Sequence, residues 1–177
     1  NRALVLAGDG QKYFVKLNGA ARAGMFAAEA EGLKALAAAE AVRVPEPLCH
    51  GVADGHAYLV LEYLALGGGD GHAPEKLGRG LAQLHRATAS RFGWHRDNTI
   101  GSTPQINTPA TDWAGFWREQ RLGFQLGLAA ANGHRGALQR EGARLLDALP
   151  AFFTDYRPVP ALLHGDLWGG NAAVTGD

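Results

Sequence analysis

A change in the pattern of apolar residues divides this sequence at a glycine-rich stretch, GGGDG, over residues 67–71. Before this stretch the apolar residues form short runs that are typical of β-strands, and after it they recur at helical spacing. Four glycines in five residues also make a flexible connection, as expected at a boundary between lobes. The sequence therefore predicts an α+β chain with a β-rich lobe over residues 1–66 and a mostly helical lobe over residues 67–177.

The first lobe is predicted to contain several strands and one helix. Apolar runs over residues 4–6 and 13–17 flank the turn sequence GDG, which is typical of a β-hairpin. Further strand-like runs lie over residues 47–52 and 56–64. Residues 24–39 are rich in Ala, Leu and Glu, which favour an α-helix.

The second lobe is predicted to be mainly helical. Apolar residues recur at helical spacing over residues 74–90 and again over residues 111–131, where an Asn-Gly pair follows as a stop signal. Residues 93–109 are rich in Gly, Pro, Asn and Thr and are expected to form an ordered loop, and the apolar run 160–163 a short buried strand. A further helix is indicated by four leucines: Leu138, Leu145, Leu146 and Leu149.

The composition argues against two classes of partner. The 17 basic and 17 acidic residues cancel, and no basic run is present, so neither nucleic acid nor an anionic membrane surface is expected as a partner. No apolar run reaches the roughly 18 residues of a membrane span. The single cysteine, Cys49, excludes an internal disulfide and fits a reducing compartment. We therefore predict a cytoplasmic protein.

Neither end of the sequence has the pattern of a natural terminus. The sequence lacks an initiator Met and opens on a strand-like run, and it stops at VTGD, where a strand and a turn begin. We therefore expect that sequence is missing at both ends.

The strongest chemical signal is the segment HGDLWGGN over residues 164–171, which we call the catalytic loop. It places Asp166 and Asn171 five residues apart, directly after an apolar run. Kinase-type phosphotransferases use this spacing, with an Asp that accepts the proton of the attacking hydroxyl and an Asn that holds magnesium. An isolated pair at this spacing is more often a capped turn, so the interpretation depends on residues upstream.

Two residues of the first lobe complete the pattern. Lys16 lies inside a strand-like run, and Glu29 lies on the predicted helix, about 60° around the helix axis from the apolar Phe26. Taken singly, a strand lysine and a helix glutamate are usually exposed. A lysine that reaches nucleotide phosphates from a strand needs a carboxylate to hold it, and Glu29 has a suitable position. The order of these two residues and the later Asp–Asn pair is hard to obtain by chance, and it favours a phosphotransferase.

Two further side chains of the loop are open to more than one interpretation. His164 is expected to brace the turn that orients Asp166, since no third residue suggests a metal site with these two. Trp168 fits core packing and stacking against a sugar ring equally well.

These stretches together resemble the fructosamine (ketosamine) kinases, which are relatives of the aminoglycoside and choline kinases. LLHGDLWGGN resembles the signature of that family almost residue for residue, including the tryptophan. Its Leu-Trp-Gly-Gly-Asn continuation and the TPQIN loop are more specific than a short HGD motif. Other stretches that resemble the family run along the whole chain: YFVKLN, MFAAEAEGLKAL, RVPEPL, YLVLEYL, GLAQLHR, FGWHRDNTIGSTPQIN and DWAGFWREQRL.

The resemblance implies a bilobal, protein-kinase-like fold with ATP bound between the lobes. Lys16 and Glu29 match the ion pair that orients the phosphates of ATP. The hinge at the end of the first lobe would bind adenine through its backbone, which implicates Glu62, Tyr63 and Leu64 in cofactor binding.

The resemblance also implies a reaction. Asp166 matches the catalytic base, Asn171 matches a ligand of Mg²⁺, and Trp168 matches a platform for the sugar. The implied activity is ATP-dependent phosphorylation of the 3-hydroxyl of a ketosamine, either a small amine adduct or a glycated protein lysine. The phosphorylated adduct then decomposes, which repairs glycation.

Two features of the family are not matched, and they keep alternatives open. The family's glycine-rich phosphate loop would precede the first strand, and a second metal-binding Asp would follow Asn171. Asp177 has the sequence context of a turn residue and is not assigned that role. The alternatives are a kinase of another small-molecule alcohol, of the aminoglycoside or choline type, and a non-catalytic kinase-like binding module.

Overall fold

The computed structural model describes residues 2–68 and 71–175. The centre of the glycine-rich stretch and Asp177, for which the sequence makes predictions, lie outside the described residues. The chain divides into two compact units, residues 1–87 with 162–177, and residues 88–161. The predicted lobe boundary lies between residues 66 and 67. In this division the helix over 73–84 and the catalytic loop belong to the first unit instead. The two lobes of a kinase-like fold stay a prediction.

Four strands form an antiparallel sheet within residues 2–68, in the order β1-β2-β4-β3. The predicted hairpin is confirmed: Asp9 and Gly10 both have positive φ, at 52° and 76°, as a two-residue hairpin turn requires. The two later predicted strands are also confirmed, although the last one ends at Glu62 instead of residue 64. The strand bounds are β1 Arg2–Gly8, β2 Gln11–Gly19, β3 Pro47–Ala53 and β4 His56–Glu62.

Helix α1, Ala23–Ala38, packs on one face of this sheet, and it confirms the predicted helix over 24–39. A short 3-10 turn, Ala20–Arg22, leads into it. Alternate residues of β4 face the helix, and the fully buried Leu59 lies in the same apolar cluster as the fully buried Phe26. Burial of each such side chain stabilises the fold by about 1.5–3 kcal/mol. The alternation of β4 and the helical spacing of α1 therefore determine the core of this unit.

Helix α2, Ala73–Leu84, ends six residues earlier than the predicted limit at residue 90. Four residues after the helix, Thr88 pairs with Ala161 in an isolated bridge. The predicted strand over 160–163 is wrong beyond this bridge: Leu163 is 54% exposed. Pro160 has no N–H to donate, so the ladder cannot extend past it. On the other side of the bridge, the amide of Ala87 donates to the carbonyl of Leu84 and is not available to Leu162.

The segment over residues 93–109, for which the sequence predicts an ordered loop, contains regular structure. Within residues 88–161, a small hairpin is present, with strands β5, Asn98–Ile100, and β6, Thr103–Gln105, joined through Gly101 at φ 59°. The sequence did not indicate these strands because each has three residues and neither alternates clearly between apolar and polar. The ordered character predicted for residues 93–109 is confirmed.

The predicted helix over 111–131 is confirmed as three consecutive segments. Helix α3, Trp113–Trp117, runs into a π-helical segment, Arg118–Leu122, and then into α4, Gly123–Ala131. Asp112 caps the start through its Oδ2, which accepts from the amide of Gly115 at 2.6 Å.

The last predicted helix is also confirmed, as α5, Ala137–Ala148, followed by a 3-10 turn, Leu149–Phe153. Within the part of the chain that the structure describes, no helix is long and apolar enough to cross a membrane.

A polar network that the sequence did not indicate holds the segment before α3. Arg121 donates through Nη2 to Asn107 Oδ1 at 2.7 Å and through Nη1 to the carbonyl of Ile106 at 2.5 Å. Asn107 is 3% exposed, and its backbone amide donates to Asp97 Oδ1. Burial lowers the pKa of Arg121, because the charged guanidinium loses water. Arginine stays protonated at neutral pH, so the network is not a pH switch.

Replacing Leu59 with Ala is expected to lower the free energy of unfolding by about 2–5 kcal/mol, because the side chain is fully buried under α1. Leu48 on the neighbouring strand is 46% exposed, so Leu48→Ala serves as the matched control and should cost about 1 kcal/mol or less. Urea unfolding followed by circular dichroism measures both variants. Equal losses would contradict the assignment of Leu59 to the core.

Candidate active site

The structure joins Lys16 and Glu29 in an ion pair, with Nζ and Oε1 2.5 Å apart. Lys16 lies in the middle of β2, on the same face as Phe14 and opposite Leu59 in the strand register, so its side chain emerges beside the apolar cluster. Glu29 follows Phe26 by three positions on α1, at the edge of the helix face that is buried. The packing of the helix on the sheet therefore brings the lysine and the carboxylate together, as predicted.

This ion pair is half-buried, with side-chain exposures of 27% for Lys16 and 28% for Glu29. Water still reaches both groups, so the pair contributes about 1 kcal/mol or less to the stability of the fold. Its main effect is geometric, because it holds an ammonium group at a fixed place above the sheet.

The catalytic loop brings its two predicted polar residues together. Asn171 donates through Nδ2 to the carbonyl of Asp166 at 2.8 Å and to Asp166 Oδ2 at 3.0 Å. The backbone amide of Asn171 also donates to the carbonyl of Trp168 at 2.8 Å, which closes the turn. These three bonds fix the carboxylate of Asp166 relative to the loop, and the oxygen that binds Asn171 is Oδ2.

The remaining loop residues settle one of the open interpretations. His164 accepts through Nδ1 from the amide of Asp166 at 3.4 Å, a long hydrogen bond that agrees with a bracing role. Gly165 has φ 86°, a backbone conformation that favours glycine. Trp168 is 63% exposed, so the interpretation as a core residue is wrong.

The predicted hinge begins at a residue whose side chain has a further partner. Glu62 binds Arg43 through its carboxylate, and its Oε2 accepts from the amide of Glu46 at 3.2 Å. The amide of Glu62 donates to the carbonyl of Glu46 at 2.8 Å, so this N–H is not available to a ligand. Tyr63 and Leu64, the other two residues of the predicted hinge, follow directly. Local sequence patterns gave no sign of this contact, because its partners lie 16 and 19 positions away.

Lys16, Glu29, the hinge and the catalytic loop all belong to the first compact unit. In residues 2–68 and 71–175, no group of three or more His, Cys, Asp and Glu side chains is placed to hold a metal ion. The oxygen donors of the loop are the Asp166 carboxylate and the Asn171 amide oxygen, which are ligands of the kind that Mg²⁺ prefers. Because Mg²⁺ usually keeps several waters and shares its site with phosphates, this small donor set fits a nucleotide-bound ion and does not form a closed protein cage.

Comparison with known proteins gives a consistent result. The family model described as fructosamine kinase matches residues 1–177. A probable ketoamine kinase of Synechocystis is 47% identical over 175 residues, which cover 98% of this chain and 58% of that protein. A chloroplastic protein-ribulosamine 3-kinase of Arabidopsis thaliana is 43% identical over 168 residues, which cover 93% of this chain and 51% of that protein. The chain thus spans between half and three-fifths of these relatives.

Comparison with solved structures agrees with the sequence comparisons. A provisionally named fructosamine-3-kinase from Haemophilus somnus has a crystal structure that matches 99% of this chain and 59% of its own, with a TM-score of 0.87 and 29% identity. The predicted α+β, kinase-like fold class is therefore confirmed.

Removing the ion pair is expected to have little effect on stability. Lys16→Met and Glu29→Gln should each change the free energy of unfolding by about 1 kcal/mol or less, because both side chains remain partly hydrated. Urea unfolding of the two single variants and the double variant gives the coupling energy. Glu75→Gln breaks an exposed pair with Arg79 and is the matched control. A loss of more than about 3 kcal/mol for Lys16→Met, as for a buried pair, would contradict this assignment.

Proposed function

The chain belongs to the fructosamine kinase family, and from that membership we propose that the protein transfers the γ-phosphoryl group of ATP to the 3-hydroxyl of a ketosamine. The observation that carries the proposal is the presence of two preformed kinase-type pairs in one compact unit. Lys16 is held by Glu29, and Asp166 is held by Asn171. A non-catalytic binding module would have no need of both pairs.

Lys16 and Glu29 are proposed to orient the phosphates. Phosphoryl transfer needs positioning and charge neutralisation more than covalent help. The ammonium of Lys16 would bind phosphate oxygens, and Glu29 would prevent the long lysine side chain from moving away. The carbonyl of Glu62 and the backbones of Tyr63 and Leu64 would hold the adenine ring.

Asp166 is proposed to accept the proton of the acceptor hydroxyl. A secondary sugar hydroxyl is a poor nucleophile, so a carboxylate within hydrogen-bond reach assists its attack. Asn171 binds Oδ2 of Asp166, which leaves Oδ1 to accept the proton. The hydrogen bonds of the loop would thus set the direction from which the hydroxyl approaches.

Mg²⁺ bound with ATP would neutralise charge on the phosphates. Asn171 is the residue of the described chain that we propose as its ligand, because its Nδ2 is committed to Asp166 and its Oδ1 remains to face a cation.

Trp168 is proposed to contact the sugar of the acceptor. An exposed indole offers a flat apolar surface, and the carbon face of a sugar is apolar as well. Exposure of 63% leaves room for either a small adduct or a glycated lysine on another protein. Phosphorylation at the 3-position would then lead to decomposition of the adduct and recovery of the amine. The cytoplasmic location stays a prediction.

The substrate class can be tested with a panel of alcohols. ATP consumption by the gene product that contains this chain is expected with fructosyl-lysine or ribulosyl-lysine, and to be at background with choline and kanamycin. The family and its relatives named as ketoamine and ribulosamine kinases support this expectation. Turnover confined to choline or kanamycin would refute the ketosamine assignment. Nucleotide binding without turnover of any alcohol would favour a binding module.

Replacing Asp166 with Asn is expected to lower kcat about 10²–10⁴-fold, the range typical of a lost general base. Asparagine keeps the size of the side chain, and its amide oxygen can still accept from Nδ2 of Asn171, so the fold and the affinity for ATP should be retained. Stopped-time assays measure kcat, and isothermal titration with ATP measures binding. Glu141→Gln, in an exposed ion pair on α5, is the control for loss of a surface carboxylate. An unchanged kcat would remove Asp166 from the proposed role.

A further inference from the structure

The indole of Trp168 lies against the backbone of Gly170, two residues further along the catalytic loop. A Cβ atom at position 170 would meet the ring carbons Cη2, Cζ2 and Cζ3 of Trp168, all within 2.7 Å. Cβ atoms do not approach other heavy atoms so closely. Any side chain at position 170 would therefore displace the indole or the loop backbone.

The neighbouring glycine does not share this constraint. A Cβ atom at Gly169 would have no heavy atom within 4 Å, and neither Gly169 nor Gly170 has the positive φ that favours glycine. The need for glycine at position 170 therefore comes from contact with the indole and not from backbone conformation. Two adjacent glycines that look equivalent in the sequence have different roles in the structure.

The contact fixes a side chain that is largely exposed. Trp168 is 63% exposed, so no apolar core surrounds its ring. Its carbonyl accepts from the amide of Asn171, and Asn171 in turn binds Asp166. The ring contact with Gly170 and this backbone bond together give the indole a defined place relative to the carboxylate. An aromatic surface that is ordered before binding loses less entropy when a ligand packs on it.

We propose that Gly170 is a positioning residue for the acceptor: it provides the seat on which the Trp168 indole lies, and the seated indole forms the wall against which the sugar of the ketosamine packs. The proposal rests on the proposed function. It assigns Gly170 to recognition of the acceptor and not of ATP, because the group it positions is Trp168. A substrate without a sugar ring or sugar chain would gain nothing from this arrangement.

The seat itself can be tested without any assay of activity. Fluorescence of Trp168 is obtained by subtracting the spectrum of a Trp168→Phe protein from that of its parent, in the native, Gly169→Ala and Gly170→Ala backgrounds. In Gly170→Ala the Trp168 component should shift to the red and be quenched more strongly by acrylamide, because the ring has left the backbone. In Gly169→Ala it should match the native protein. Identical Trp168 components in the two alanine variants would overturn the proposal.

Kinetics then test the role in recognition. Gly170→Ala is expected to raise KM for ribulosyl-lysine or fructosyl-lysine about tenfold relative to Gly169→Ala, as for loss of an aromatic stacking contact, while KM for ATP is the same in both. In a Trp168→Leu background, Gly170→Ala should not raise KM for the acceptor any further, because the indole that it would displace is absent. A rise in KM for ATP equal to that for the acceptor would overturn the proposal, because it would show displacement of the whole loop.

The proposed function and the role of Gly170 can be refuted separately. A native protein that turns over no ketosamine would refute the proposed function, whatever the fluorescence shows. A native protein that turns over ketosamines, with equal acceptor KM in the two alanine variants, would refute only the role of Gly170.

Discussion

The packing of helix α1 on the sheet is the interaction on which the candidate site depends. Phe26 and Leu59 are fully buried in this contact, and each contributes about 1.5–3 kcal/mol. The ion pair between Lys16 and Glu29 contributes about 1 kcal/mol or less, because both groups remain partly hydrated. The apolar contact therefore holds the helix in place, and the ion pair is its consequence. A chain can retain this site only while the core beneath it stays packed.

The catalytic loop is organised by a different kind of force. Its residues are mostly exposed, and its shape comes from hydrogen bonds within eight residues and from the φ of 86° at Gly165. Local polar contacts of this kind give precise direction but little stability, since water competes for each of them. The unit thus combines a rigid apolar support for Lys16 with a locally closed turn for Asp166. Catalytic residues are commonly found on loops that a rigid scaffold positions in this way.

Features that depend on local periodicity could be predicted from the sequence, and features that depend on distant partners could not. The strand that carries Leu59 and the helix that carries Glu29 follow from alternation and from helical spacing, and the ion pair with Lys16 followed from them. The network around Arg121 and the contacts of Glu62 join residues that are distant in the sequence: Asn107 lies 14 positions from Arg121, and Glu46 lies 16 positions from Glu62. The seat of Trp168 on Gly170 is local, yet the sequence could not indicate it, because a side-chain rotamer decides which of two glycines the ring covers.

The partners of Glu62 connect two parts of the site that the sequence treats as separate. The segment over residues 41–46 follows α1. The carboxylate of Glu62 binds Arg43 and accepts from the backbone amide of Glu46, and the backbone amide of Glu62 donates to the carbonyl of Glu46. The same segment lies against α2, where a Cβ atom at Gly80 would collide with Ala41 and Val42. The segment after α1, the end of β4 and helix α2 are thus held as one connected piece of structure, and Glu62 takes part in it through its side chain as well as its backbone.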